Sequence, residues 1–130
     1  MLVGIGAAPR PQKEESEVPM KLSVHITDCA FGVSAADVDV LLRRQTVGEW
    51  KEMVRGRTGP DGALAVWNGQ PIEAGIYQMV VDLDAYYAIL GTIPLHPRAI
   101  VEFRVLDPEA DLFLPLIVSS HSCLSYRGAA

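Results

Sequence analysis

Leu22-Ser23-Val24-His25-Ile26-Thr27 places an aliphatic side chain at every second position and a polar one between. Successive side chains of a β-strand point to opposite faces. The spacing therefore predicts a strand with Leu22, Val24 and Ile26 in a core and Ser23, His25 and Thr27 outside it. The same period returns along the chain. Val38, Val40 and Leu42 are opposed by Asp37, Asp39 and Arg43. Tyr77, Met79 and Val81 form one side of a strand from Gly75 to Asp82, and alternation resumes in Val101-Glu102-Phe103-Arg104-Val105. Another strand runs from Trp50 towards Thr58, turns at Gly59-Pro60-Asp61-Gly62 and returns through Ala63 to Trp67. The Asp-Gly pair there supplies the positive backbone angles of a tight reversal. Leu112 to Val118 is the last long strand, after a corner at Asp107-Pro108-Glu109, and Leu83 to Leu90 is the one helix, ended by Gly91. Six to eight short strands at hairpin spacing with a single helix predict an all-β antiparallel sandwich.

Around this pattern the composition sets bounds. A length of 130 residues suits one core, and 49% apolar with 21% charged residues is ordinary for a globular domain. Residues 1–19 hold Pro9, Pro11, the acidic Glu14-Glu15-Ser16-Glu17 and Pro19, and read as a disordered arm ahead of a domain over 20–130. A net charge of -5 with no basic patch argues against a nucleic-acid partner. No apolar run reaches the ~18 residues that span a bilayer. Met1 to Ala8 is apolar but has no basic leading region, which makes a poor secretory signal. Cys29 and Cys123 make no disulfide framework. The expectation is a cytoplasmic protein with neither membrane nor nucleic-acid partner.

Several polar residues are candidates for chemistry. His25 falls on the polar side of its strand; periodicity alone fits a surface histidine, yet imidazole is the side chain best suited to proton transfer near neutral pH. Arg57, at a strand end, can present two parallel N–H groups to a planar anion, as can Arg127; both also read as surface arginines. Tyr126 and Arg127 equally suit a tail that pairs with a sheet edge. His121 lies among Ser119, Ser120 and Ser122, but neither an acidic partner nor a sharp elbow accompanies it. His25, His96 and His121 have no short ligand spacing, so no metal site is expected, and no glycine loop for phosphates or other cofactor motif is present.

Short pieces in a fixed order resemble the 5-hydroxyisourate hydrolases, the transthyretin-related proteins of purine breakdown. They are Leu22 to Asp28, Gly56-Arg57-Thr58-Gly59-Pro60-Asp61-Gly62, Ala74-Gly75-Ile76-Tyr77 with Asp84-Ala85-Tyr86-Tyr87-Ala88, Phe103 to Pro108, Leu114 to Ser119, and Tyr126-Arg127-Gly128. The resemblance implies a transthyretin-like sandwich of about eight strands, a homotetramer and sites in a channel at the dimer–dimer interface. It also implies catalytic roles for His25, Arg57, Tyr126 and Arg127, with Phe113, His121, Gly128 and Ala129 at the substrate. Two positions depart from the family pattern. The second histidine, two residues before the proline of a His-x-Pro-Leu stretch, is Phe113, and the final serine of a Tyr-Arg-Gly-Ser ending is Ala129. The expectation is a divergent enzyme acting on a small planar carbonyl-rich ring by hydrolysis, ring opening or rearrangement, recruited to a biosynthetic pathway. The alternatives are ordinary hydroxyisourate hydrolysis, with His121 or water supplying the missing group, and a non-catalytic small-molecule binder.

Overall fold

The structure, a computed structural model, describes residues 22–65 and 72–128. The predicted arm over 1–19, the residues after Ala65 on the way to Trp67, and Ala129 lie outside the described residues. Strands β1 (Leu22–Asp28), β2 (Val33–Ser34), β3 (Asp39–Thr46), β4 (Glu49–Arg57), β5 (Ala63–Ala65) and β6 (Gly75–Asp82) lead to helix α1 (Leu83–Ile89). Strands β7 (Arg98–Val105), β8 (Leu112–Val118) and β9 (Cys123–Ser125) follow.

They form two sheets. Sheet one runs β9-β8-β1-β2, with β5 also paired to β1; sheet two runs β4-β3-β6-β7. The predicted inward residues form the core between them: Leu22, Val24 and Ile26 of β1, Val40 and Leu42 of β3, and Tyr77, Met79 and Val81 of β6 are all buried, and Leu114, Leu116 and Val118 of β8 join them. The predicted helix caps one end. Asp82 Oδ1 accepts the Ala85 N–H at 3.1 Å, and Gly91, at φ 77°, ends it.

Two features go beyond the sequence reading. The short strands Val33–Ser34 and Cys123–Ser125 carry no alternation long enough to register as a pattern. And β1 pairs with β8 in parallel, from Leu22↔Leu112 to Asp28↔Val118, inside an otherwise antiparallel sheet. Strands so far apart in sequence are free of hairpin geometry, and either orientation is open to them. Cys29 and Cys123 are free thiols, as expected. Among the described residues, no helix is long and apolar enough to cross a membrane.

Candidate functional site

Alternation along β1 turns His25 away from the core, onto the outer face of sheet one. Its neighbours follow from register. In the His25 row stand Ala63 of β5, Pro115 of β8 and, one strand further, Tyr126, whose N–H reaches the Pro115 carbonyl at 3.4 Å. The row on one side holds Ser23, Phe113 and Gly128; the row on the other holds Ser34, Thr27, Ile117 and Leu124. His25 is thus the middle of a flat, largely apolar face on which Leu124 is 59% and Tyr126 53% exposed. Exposed apolar surface of this kind marks ligand or subunit contacts.

The ring of His25 is oriented by the Gly59 to Gly62 turn. Its Nε2 lies 2.9 Å from the backbone oxygen of Asp61. A carbonyl only accepts, so Nε2 carries the hydrogen and Nδ1 of the neutral ring holds the lone pair. The turn itself is tightly held. Gly62, at φ 76°, sits where an added Cβ would come 2.5 Å from the Ile26 carbonyl oxygen. Its carbonyl accepts the Ile26 N–H at 2.9 Å, and Asp61 Oδ1 accepts the Ala63 N–H at 3.0 Å. Before the turn, buried Thr58 donates its hydroxyl to the Ala35 carbonyl at 2.8 Å and accepts the Val38 N–H at 2.9 Å. A threonine beside glycine reads as turn chemistry in a sequence, so this anchoring role was not visible there.

The chain after β9 continues beside β8. Pro115 has no N–H to give, which leaves the Tyr126 rung with one long bond; the next, from Gly128 N–H to the Phe113 carbonyl, is 2.9 Å. Phe113 stands over that glycine. An added Cβ on Gly128 would meet Phe113 Cδ2 at 2.6 Å and Pro115 Cγ at 2.8 Å. The reading of Tyr126 and Arg127 as an edge-pairing tail describes their backbone.

The structure therefore brings His25, Phe113, Tyr126 and Gly128 onto one face. It puts the other candidates elsewhere within the chain. Arg57 lies opposite Asp39 on sheet two, its Nε 2.8 Å from Asp39 Oδ1, and that bond together with the carboxylate charge pushes the guanidinium pKa up. Because Val40 and Gly56 take the inward positions, Asp39 and Arg57 face outward from the opposite sheet to His25. Arg127, one residue after outward Tyr126, turns to the other side of the strand and borders a hollow with Arg104 and Asp107. His121 is exposed on the β8–β9 turn, where its N–H reaches Ser119 Oγ at 3.2 Å. That turn begins about 10 Å along β8 from Pro115, so His121 does not replace an imidazole at the His25 row of its own chain.

Comparison with known proteins identifies the family and the fold. Residues 22–128 match the model of the HIUase/Transthyretin family. The chain is 28% identical over 109 residues to the 5-hydroxyisourate hydrolase of Salmonella dublin, covering 83% of this chain and 80% of that one. The Klebsiella pneumoniae 5-hydroxyisourate hydrolase structure superposes with a TM-score of 0.76 at 26% identity, covering 85% of this chain and 99% of that one. Sea bream transthyretin in complex with thyroxine gives 0.77 at 26% identity, covering 84% and 95%.

Proposed function

The chain belongs to the HIUase/Transthyretin family, and from that premise we propose that it takes a small planar, carbonyl-bearing ring compound on the His25 face and acts on it with His25 as the proton-transfer group. The carrying observation is the setting of the imidazole: on the outer face of sheet one between Ala63 and Pro115, with Nε2 committed to the Asp61 carbonyl, which leaves Nδ1 as the other ring nitrogen. In a hydrolytic ring opening, Nδ1 takes a proton from water as its oxygen adds to the carbonyl carbon. The Tyr126 hydroxyl donates to the oxygen that gains charge. His25 then returns the proton to the ring atom that leaves as the C–N or C–O bond breaks. Phe113 packs against the ring.

Phe113 where the family pattern has a second imidazole supports a substrate other than hydroxyisourate, because losing one acid–base group costs about 10²- to 10⁴-fold in rate. A flat sheet face does not enclose a ligand, so the reading includes a two-fold-symmetric homotetramer in which another copy covers the face. Light scattering measures this, and a monomer at working concentration would count against the enclosed site. The direct test is turnover. Purified protein should consume hydroxyisourate far more slowly than the Salmonella enzyme, and His25→Ala should abolish turnover of whichever planar ring compound the wild type consumes. An unimpaired His25 variant would end the proposal.

A second reading, non-catalytic carriage of an aromatic ligand, is favoured by one observation: among the described residues the face holds a single imidazole and no guanidinium. It predicts a small molecule that co-purifies and is released chemically unchanged.

A further inference from the structure

We infer that the His25 face selects an electrically neutral ring that carries its own hydrogen-bond donor, such as a phenolic hydroxyl or a ring N–H. This rests on the reading above that the face is the ligand site, and it adds the ligand's charge and polarity. Among the described residues, the three rows hold no aspartate, glutamate, lysine or arginine. The two arginines that would hold an anion stand elsewhere: Arg57 is bound to Asp39 on the opposite sheet, and Arg127 turns towards Arg104 and Asp107. A carboxylate brought onto this face loses hydration and meets neither lysine nor arginine among the described residues, whereas a neutral ring loses little and gains contact with Phe113 and Tyr126.

The donor requirement follows from the tautomer. Nε2–H is committed to the Asp61 carbonyl at 2.9 Å, so neutral His25 offers its lone pair at Nδ1, an acceptor. A ligand without O–H or N–H leaves that acceptor bare. One with a donor satisfies it, and the Tyr126 hydroxyl remains to donate to a carbonyl or ether oxygen.

Three probes of one size separate the terms: 2-naphthol (neutral, donor), 2-methoxynaphthalene (neutral, no donor) and 2-naphthoate (anion), titrated calorimetrically into the full chain at neutral pH. The naphthol should bind about tenfold or more tightly than either of the others. His25→Ala should lower naphthol to the level of the methoxy compound. Leu124→Lys, which puts a cation on the face, should raise naphthoate affinity about tenfold relative to naphthol. Arg57→Gln should change none of the three. Naphthoate binding as tightly as naphthol, and weakened by Arg57→Gln or Arg127→Gln, would overturn the neutral-ligand inference while leaving the face as the site. Failure of all three probes to bind, or binding indifferent to both His25→Ala and Leu124→Lys, would overturn the site reading as well.

Discussion

The ring of Phe113 fills the space that a side chain on Gly128 would need: an added Cβ would lie 2.6 Å from Phe113 Cδ2 and 3.0 Å from Cε2. One aromatic residue therefore decides both what the face offers a ligand and how the chain's last described residues are held. A smaller or polar group at 113 would change the two together.

Gly128→Ala tests the packing. The Pro115 ring, 2.8 Å from the new methyl, cannot rotate away. Overpacking of about 1–3 kcal/mol should therefore fall on the Gly128–Phe113 rung. Tryptic cleavage after Arg127 should accelerate roughly tenfold, and adding Phe113→Ala should recover much of the loss. Equal cleavage of wild type and Gly128→Ala would refute the close approach.

Thr58→Val keeps the shape but removes both bonds of the buried hydroxyl, leaving the Ala35 carbonyl and the Val38 N–H without it. Unmet buried groups cost about 1–3 kcal/mol each, so a loss of roughly 2–6 kcal/mol in urea unfolding is expected. Because Thr58 anchors the turn that holds His25, ligand affinity should fall as well. A stability change below about 0.5 kcal/mol would count against the anchor.

Burial, reinforced by the hydrogen bond to Asp28 Oδ2 at 3.0 Å and by the charge of that carboxylate, pushes the Tyr86 phenol up to about 12 from 10.0. Between these values the unfolded chain has given up the proton and the folded one has not, so stability falls as pH rises through that window. Tyr86→Phe should cost about 1–3 kcal/mol at neutral pH, by removing a donor from buried Asp28, and make the alkaline decline shallower. Some decline should persist, because burial also raises Tyr77 and Tyr87. An unchanged slope in urea unfolding at rising pH would contradict this.

Arg57→Gln probes a pair that is exposed on both sides, 63% and 47%. Solvent screens such pairs, and a small stability loss that shrinks further at high salt is expected. A large loss would mean that Arg57 has a partner other than Asp39 in the assembled protein.

The strands that alternate cleanly, β1, β3 and β6, were legible because one face of each is buried and the other is not, whereas β8 was legible as an apolar run. The Asp61-Gly62 reversal and the Gly91 helix stop were legible because few other residues accept their backbone angles. Which residues share a face was not. Arg57 and His25 sit in successive pieces that carry the family resemblance, but membership of a face depends on strand pairing, and a shift of one residue sends a side chain to the other surface. The same rule separates Tyr126 from Arg127. The Asp61 carbonyl, which fixes the tautomer of His25, was invisible for a simpler reason: every residue has one.

The side-by-side pairing of β1 with β8 has a consequence for synthesis. The strands of sheet two follow one another with only β5 and a helix between them, so that half can assemble as a nascent segment leaves the ribosome. The partner of β1 is translated only after all four strands of sheet two. Until then the β8 side of Ile26 and its neighbours is an open edge, and its pairing carries the loop-closure cost of a long-range contact. The face that carries the imidazole is complete only once β8 has joined β1.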